Sequence, residues 1–338
     1  MISEIFEQLI ARQDLSSAQI KRIIACCMDG KLNDTQIGTF LALMRAKGET
    51  IHELTAAAEV MQGFAHFIDL GADLIDIVGT GGDGKNTFNV STVCSFVVAA
   101  AGAQVAKHGN RSVSGRSGSA DLLIEAGFEL NLPDIQLQNC LHECGMVFLF
   151  APHFHQAMQY VRQARQYLGI RTLFNLLGPL LNPAKAKKQV VGVCTAQLVE
   201  PIANVLVNLG GERILVLHSQ DGLDEISIAA PTQVMEYKQG KFISWSINPK
   251  DYDCYHENLN AIVVSAPQQS LQLARSVFSG IKGPARDIVL LNSAAAIYCA
   301  DLCPSFDEAL AKASAVIDSG QALEKFMKLK DLMQGDRK

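Results

Sequence analysis

The sequence predicts an α/β protein in two unequal parts: a small all-helical unit over residues 1–70, and a large α/β unit over residues 71–338 with a mostly parallel central sheet. Three observations carry this. Residues 1–70 repeat apolar side chains at helical spacing behind three helix-start signals. From Leu74 short apolar runs alternate with helical segments. Glycine-rich loops follow the first two runs, where strands of a parallel sheet hand over to helices.

The start signals come first in the chain. Ser16 with Gln19 and Thr50 with Glu53 fit the capping box, and Asn33 with Gln36 resembles one. Ile37, Leu41 and Met44 form a one-sided stripe that needs cover from the rest of the chain or from a second subunit, so a homodimer through the helical unit is expected. The runs Leu74–Val78, Gln104–Lys107, Val147–Phe150, Val190–Cys194 and Ile214–Leu217 then read as strands of a sheet wrapped by helices. Met235–Tyr237 and Phe242–Trp245, joined around Gly240, read as an edge hairpin. A helical segment near residues 165–185 is expected to join the N-terminal unit.

Composition narrows the class. With 338 residues, 49% hydrophobic and 19% charged, the chain can bury a substantial core. Its longest wholly apolar stretches, such as 96–102, are far shorter than the roughly 20 residues that span a bilayer, and no basic-then-apolar leader opens the chain. A cytoplasmic protein without membrane contact is expected. The nine cysteines are scattered, and neither Cys140 with Cys144 nor Cys299 with Cys303 has a second Cys/His pair at zinc-finger spacing, so buried thiols are expected. A net charge of −5 argues against nucleic-acid binding by the whole surface. Within that acidic chain, Lys107, His108, Arg111 and Arg116 fall in an acid-free stretch between Asp83 and Asp121, which marks an anion site.

The first loop, Asp76-Ile-Val-Gly-Thr-Gly-Gly-Asp-Gly-Lys-Asn-Thr-Phe-Asn-Val-Ser-Thr92, places slim backbone at a helix N-terminus, where amides can converge on phosphate. It matches two familiar motifs and fails each at the discriminating position. Gly79, Gly81 and Gly84 fit a dinucleotide fingerprint, but no acid follows for the ribose; Gly79, Gly84 and Lys85 fit a P-loop, but Asn86 replaces the magnesium-binding hydroxyl. Asp83 points to a ligand with hydroxyls or a metal as well as phosphate. The second loop, Lys107-His-Gly-Asn-Arg-Ser-Val-Ser-Gly-Arg-Ser-Gly-Ser-Ala-Asp121, packs cations, hydroxyls and glycines together. Two anion loops on successive strands suggest a ligand phosphorylated at both ends.

GTGGD with NVST, KHGNRSVSG and SGSAD together resemble the anthranilate phosphoribosyltransferase family. The likeness continues through Phe150–His155, Arg165, Arg171–Pro183, Asp221–Ser227 and Gly283–Tyr298, so it covers essentially the whole chain. The resemblance implies a fold like that of nucleoside phosphorylases and related phosphoribosyltransferases, usually dimeric, with magnesium, and two ions are expected. It implies transfer of the phosphoribosyl group from phosphoribosyl pyrophosphate (PRPP) to the amine of anthranilate in tryptophan biosynthesis. Any anthranilate synthase partner would be a separate chain.

Residue by residue, the resemblance assigns PRPP to Gly79, Gly82, Asp83, Thr87, Asn89, Val90, Ser91 and Thr92, and to Lys107, His108, Gly109, Asn110, Arg111, Ser112, Val113, Ser114, Gly115 and Ser119. Anthranilate falls to Gly79, His108, Asn110, Pro152, His155, Arg165 and Gly178, with Arg165 able to fork onto the carboxylate. Ser91, Asp224 and Glu225 fall to magnesium; two adjacent acids after Gly222 suit a hard cation that keeps waters and bridges phosphates. Lys107, Asn110 and Arg165 are expected to position the reactants. An arylamine is neutral at pH 7, so no covalent intermediate is needed and single displacement with inversion at ribose C1 is expected. Two other readings stay open: pyrimidine nucleoside phosphorylase, and a non-catalytic relative that binds nucleic acid.

Overall fold

In the computed structural model, which describes residues 2–71, 73–112 and 116–334, all three capping signals start helices. The N-terminal unit holds α1 (Ile2–Ile10), α2 (Ser17–Met28), α3 (Asp34–Lys47) and α4 (Ile51–Phe64). Glu53 does more than close its box. Its carboxylate is fully buried, accepts the Leu15 N–H at 2.8 Å and pairs with the Lys47 ammonium at 2.8 Å, fastening the α1–α2 turn to α4.

The sheet follows as β1 (Leu74–Gly79), α5 (Val90–Ala100), β2 (Gln104–Gly109), α6 (Ser119–Glu125), α7 (Asp134–Cys144), β3 (Met146–Phe150) and α8 (Ala151–Phe154). The chain then leaves the sheet for α9 (Gln159–Leu168) and α10 (Leu173–Leu177), which pack back on α2, α3 and α4. It returns through β4 (Lys188–Gly192), α11 (Val199–Asn208), β5 (Arg213–Ser219), β6 (Thr232–Lys238) and β7 (Lys241–Ile247), and ends in α12 (Pro267–Phe278), α13 (Pro284–Cys299), α14 (Phe306–Asp318) and α15 (Gln321–Gln334).

The strand order is β3-β2-β1-β4-β5-β6-β7, with β1 to β5 parallel and β6 and β7 antiparallel. The edge hairpin turns at Gln239 and Gly240, both at positive φ, the geometry of a tight two-residue turn. Alternation along β4 and β5 divides two cores. Val191, Val193, Ile214 and Val216 face the helical unit and α11, whereas Val190, Leu215 and Leu217 join the core under α5 and α13. Ile37, Leu41 and Met44 are all fully buried within this chain's own core, so that stripe calls for no second subunit. All nine cysteines are unbridged, six of them buried. No helix among the described residues is long and apolar enough to cross a membrane.

Candidate active site

The chain departs from β1 toward β2 and re-enters on its other side as β4, so the loops leaving these two neighbours diverge and open a cleft at their carboxyl ends. Gly79 and Gly192 face each other in register there. The turn carrying Asp224 sits directly on them. A Cβ on Gly192 would lie 1.5 Å from the Asp224 carbonyl oxygen, and one on Gly79 would lie 2.5 Å from Asp224 Oδ2. Glycine is required at both positions because the acidic turn occupies the space of a side chain.

That seat brings Ser91, Asp224 and Glu225 together. Asp224 Oδ2 accepts the Gly81 N–H at 2.7 Å, and Glu225 Oε1 accepts the Ser91 N–H at 3.0 Å in the first turn of α5. Burial, with Asp83 beside it, pushes the Asp224 carboxyl up to about 7; burial, then Asp224, raises Glu225. Like charges crowded in this way call for a cation. No three His, Cys, Asp or Glu side chains among the described residues close into a cage by themselves. The two carboxylates fit a hard ion whose remaining ligands are water and phosphate, and the Ser91 hydroxyl lies beside them as a contact for a second.

Lys107 differs from the sequence reading, which places it at the start of the second loop. Strand β2 runs on to Gly109, and its alternation turns Lys107 inward, where it is 1% exposed. Its Nζ donates to Ile77 O at 2.5 Å and to Ser91 Oγ at 3.2 Å, and burial lowers its pKa despite Asp76 and Glu225 nearby. Asp76 is buried as well and accepts from the His108 N–H at 3.1 Å and Asn182 Nδ2 at 2.8 Å.

Asn89 is more fully engaged than a ligand-binding residue requires. Its Oδ1 accepts from Ser117 Oγ at 2.7 Å and Ser270 Oγ at 2.8 Å, while its Nδ2 donates to Ser117 O at 3.0 Å. The Asn89 side chain therefore clamps the two loops to α12, and its neighbours Val90 and Thr92 are buried, leaving chiefly backbone for a ligand. Asp121 shapes the second loop by accepting the N–H groups of Ser112 and Gly118 at 2.9 and 2.8 Å. Arg111 is exposed, Thr87 bridges to Val263, and Ser119 begins α6 beside Gly109. Val113, Ser114 and Gly115 lie outside the described residues.

His108, next along β2, points to the opposite face from Lys107. Its ring lies 5.1 Å from that of His155, which in turn bonds Leu181 O at 3.0 Å. Burial, then His155, drives the His108 pKa down to about 3 against a smaller raising influence from the Gly178 backbone, so the imidazole is neutral at physiological pH. Asn110 and Pro152 are exposed just past the carboxyl ends of β2 and β3. Arg165 comes from α9, half-buried over the Phe174 ring at 5.7 Å, with no carboxylate paired to it among the described residues.

Buried polar atoms without partners collect here. Of eight such side-chain atoms among the described residues, Thr80 Oγ1, Thr92 Oγ1, His108 Nε2 and Arg171 Nη2 belong to segments lining the cleft. Unsatisfied buried groups are rare in a finished fold, and their clustering marks where a polar ligand completes it. The arrangement provides an amide and carboxylate cradle on one side of β2 and a pair of buried imidazoles on the other, with the Arg165 guanidinium unpaired on α9 over Phe174. The sequence reading missed Asp76, Asp121, Asn182 and Ser270. Only Asp121 carried a local signal, as the acid three residues into a helix start.

Comparison with known proteins agrees with this geometry. Residues 3–65 match the helical bundle domain of a glycosyl transferase family, and residues 71–323 match its a/b domain. An anthranilate phosphoribosyltransferase of Legionella pneumophila (strain Paris) is 66% identical over 330 residues, covering 98% of this chain and 96% of its own. One from Acinetobacter baumannii (strain ATCC 17978) is 48% identical over 317 residues, covering 92% of this chain and 91% of its own. The crystal structure of the Thermus thermophilus anthranilate phosphoribosyltransferase superposes with a TM-score of 0.91 at 36% identity, covering 98% of this chain and 99% of that one. The Saccharomyces cerevisiae enzyme in complex with PRPP and Mg superposes with a TM-score of 0.90 at 26% identity, covering 98% and 97%.

Proposed function

This chain belongs to the anthranilate phosphoribosyltransferase family, and from that premise we propose how its residues divide the reaction. It transfers the 5-phosphoribosyl group of PRPP to the amine of anthranilate, giving N-(5-phosphoribosyl)anthranilate and pyrophosphate, in tryptophan biosynthesis. The observation that supports the division best is the opposition of Lys107 and His108 on β2, which sets a donor side against an acceptor side across one strand.

On the donor side, the amides of Gly82, Asp83 and Thr92 hold the pyrophosphate at the α5 N-terminus, while those of Gly81 and Ser91 hold the Asp224 and Glu225 carboxylates beside it. Lys107 fixes the Ser91 hydroxyl from below. Asn110, Arg111, Ser112 and Ser119 take the ribose and its phosphate. Asp224 and Glu225 would hold one magnesium ion, and Ser91 would reach a second. Bound magnesium neutralises charge on the departing pyrophosphate. On the acceptor side, Arg165 forks onto the anthranilate carboxylate while Asn110, His108, His155, Pro152 and Gly178 confine the ring. The C1–oxygen bond to pyrophosphate breaks as the amine nitrogen bonds the opposite face of C1, inverting it. The amine's proton is lost to solvent once the bond has formed, and His108, held near pKa 3, does not retain it at neutral pH.

Ligand linkage tests the donor side without turnover. PRPP should raise the thermal midpoint of the wild-type chain only with magnesium present, and Asp224→Asn with Glu225→Gln should abolish that rise. The unliganded midpoint of the double variant should hold or increase, because two crowded carboxylates have been neutralised. An equal, metal-independent rise in both proteins would contradict the assignment.

A further inference from the structure

Arg171 lies in the connection between α9 and α10, six positions after Arg165, and its guanidinium reaches across the cleft to the first glycine loop. Its Nη1 donates to Gly82 O at a long 3.4 Å, and Cζ, Nε and Nη1 lie 3.5 to 3.6 Å from where a Cβ on Gly82 would stand. Its Nη2 is buried and has no partner. No carboxylate among the described residues pairs with it; its charge is only a minor lowering influence on Asp224, whose carboxyl burial and Asp83 still raise.

A guanidinium has five donors in a planar fork, and a single long bond to a carbonyl leaves most of them unused. Burying one of those N–H groups unpaired is costly, so the position calls for an acceptor that the chain itself does not supply. The guanidinium thus stands against the Gly82 backbone, and an anion bound on this loop comes within reach of the free Nη2. We propose that Arg171 is a ligand of the donor's pyrophosphate, supplied by the helical side of the cleft to the cradle built by the sheet. The assignment rests on the reading of the glycine loop as the pyrophosphate cradle. It makes the α9–α10 segment bifunctional: Arg165 takes the acceptor's carboxylate and Arg171 the leaving group, so packing of that segment sets the distance between the two substrates.

Arg171→Gln and Arg171→Lys in the full-length chain test it, with magnesium pyrophosphate as the calorimetric probe. Loss of a charge-assisted bond should weaken pyrophosphate binding by roughly tenfold to a hundredfold in the glutamine variant, with partial recovery in the lysine variant. KM for PRPP should rise and kcat fall while KM for anthranilate stays within about twofold. Unchanged pyrophosphate affinity in Arg171→Gln, or a rise confined to the KM for anthranilate, would overturn the proposal and leave Arg171 a domain tie or an acceptor contact. If Arg171→Gln does not fold, the lysine variant decides: wild-type pyrophosphate affinity would count against it, and intermediate affinity would support it. A wild-type chain that binds no magnesium pyrophosphate would sink the cradle reading itself.

Discussion

Gly192→Ala should cost the enzyme at least about two orders of magnitude in kcat/KM, the scale on which ångström misplacements of catalytic groups are felt. The new methyl would stand 1.5 Å from the Asp224 carbonyl oxygen and 2.5 Å from its carbonyl carbon, so the obstacle is backbone and cannot rotate aside. Either the turn over residues 221–225 lifts off the sheet or β4 retreats. Both routes carry Asp224 and Glu225 away from Gly81 and Ser91, and the magnesium concentration needed for half-maximal rate should rise. Gly79→Ala should do less harm, because its methyl meets the end of the Asp224 side chain. Gly84→Ala separates crowding from strain: the space there is open, but φ is +74°, so a stability loss of about 1 kcal/mol without a magnesium effect is expected. Steady-state kinetics across magnesium concentrations distinguishes the three, and wild-type magnesium dependence in Gly192→Ala would refute the seat proposed for the acidic turn.

Lys107→Met should affect stability and catalysis together. Methionine fills the volume of the lysine stem but leaves buried Asp76 and the raised Glu225 without their nearest cation, an imbalance that typically costs roughly 3–5 kcal/mol. The pH dependence has a definite sign. Burial already raises the Asp76 carboxyl from about 3.8 to about 6, so the folded chain holds that proton more tightly than the unfolded one. Stability from this group is present at low pH and is lost as pH rises through 6. Removing Lys107 raises the Asp76 carboxyl further, so the variant's deficit in thermal midpoint should be larger at pH 8 than at pH 5. Catalysis should fall by about a hundredfold or more as Ser91 loses its anchor. A deficit independent of pH would show that Lys107 does not compensate Asp76.

Much of the architecture was legible because its signals are local. Capping boxes at Ser16 and Thr50 need only four consecutive residues, and the β-strands announce themselves as apolar runs between glycines. The loops Gly79–Thr92 and Lys107–Asp121 could be read as anion sites from composition alone. What escaped depends on partners far apart in the chain. Nothing around Ser270, in an ordinary helical stretch, hints that it completes Asn89 across 181 positions. Lys107 was legible as a cation but not as a buried one, because one more step of the strand's alternation decides which face it takes. Arg171 stands beside a helix start, and nothing around it in the sequence marks it as a ligand. Only its position against Gly82, with an unpaired Nη2, separates a ligand from a strut.

The most direct test follows the loss of anthranilate fluorescence on mixing the purified chain with PRPP and magnesium, for wild type and Arg165→Ala. Wild type should consume anthranilate and release pyrophosphate in equal amounts, only with magnesium, while Arg165→Ala should raise the KM for anthranilate by roughly tenfold or more and leave that for PRPP nearly unchanged. A folded wild-type chain that consumes no anthranilate, or an Arg165→Ala variant with wild-type affinity for it, would contradict the two-sided cleft described here.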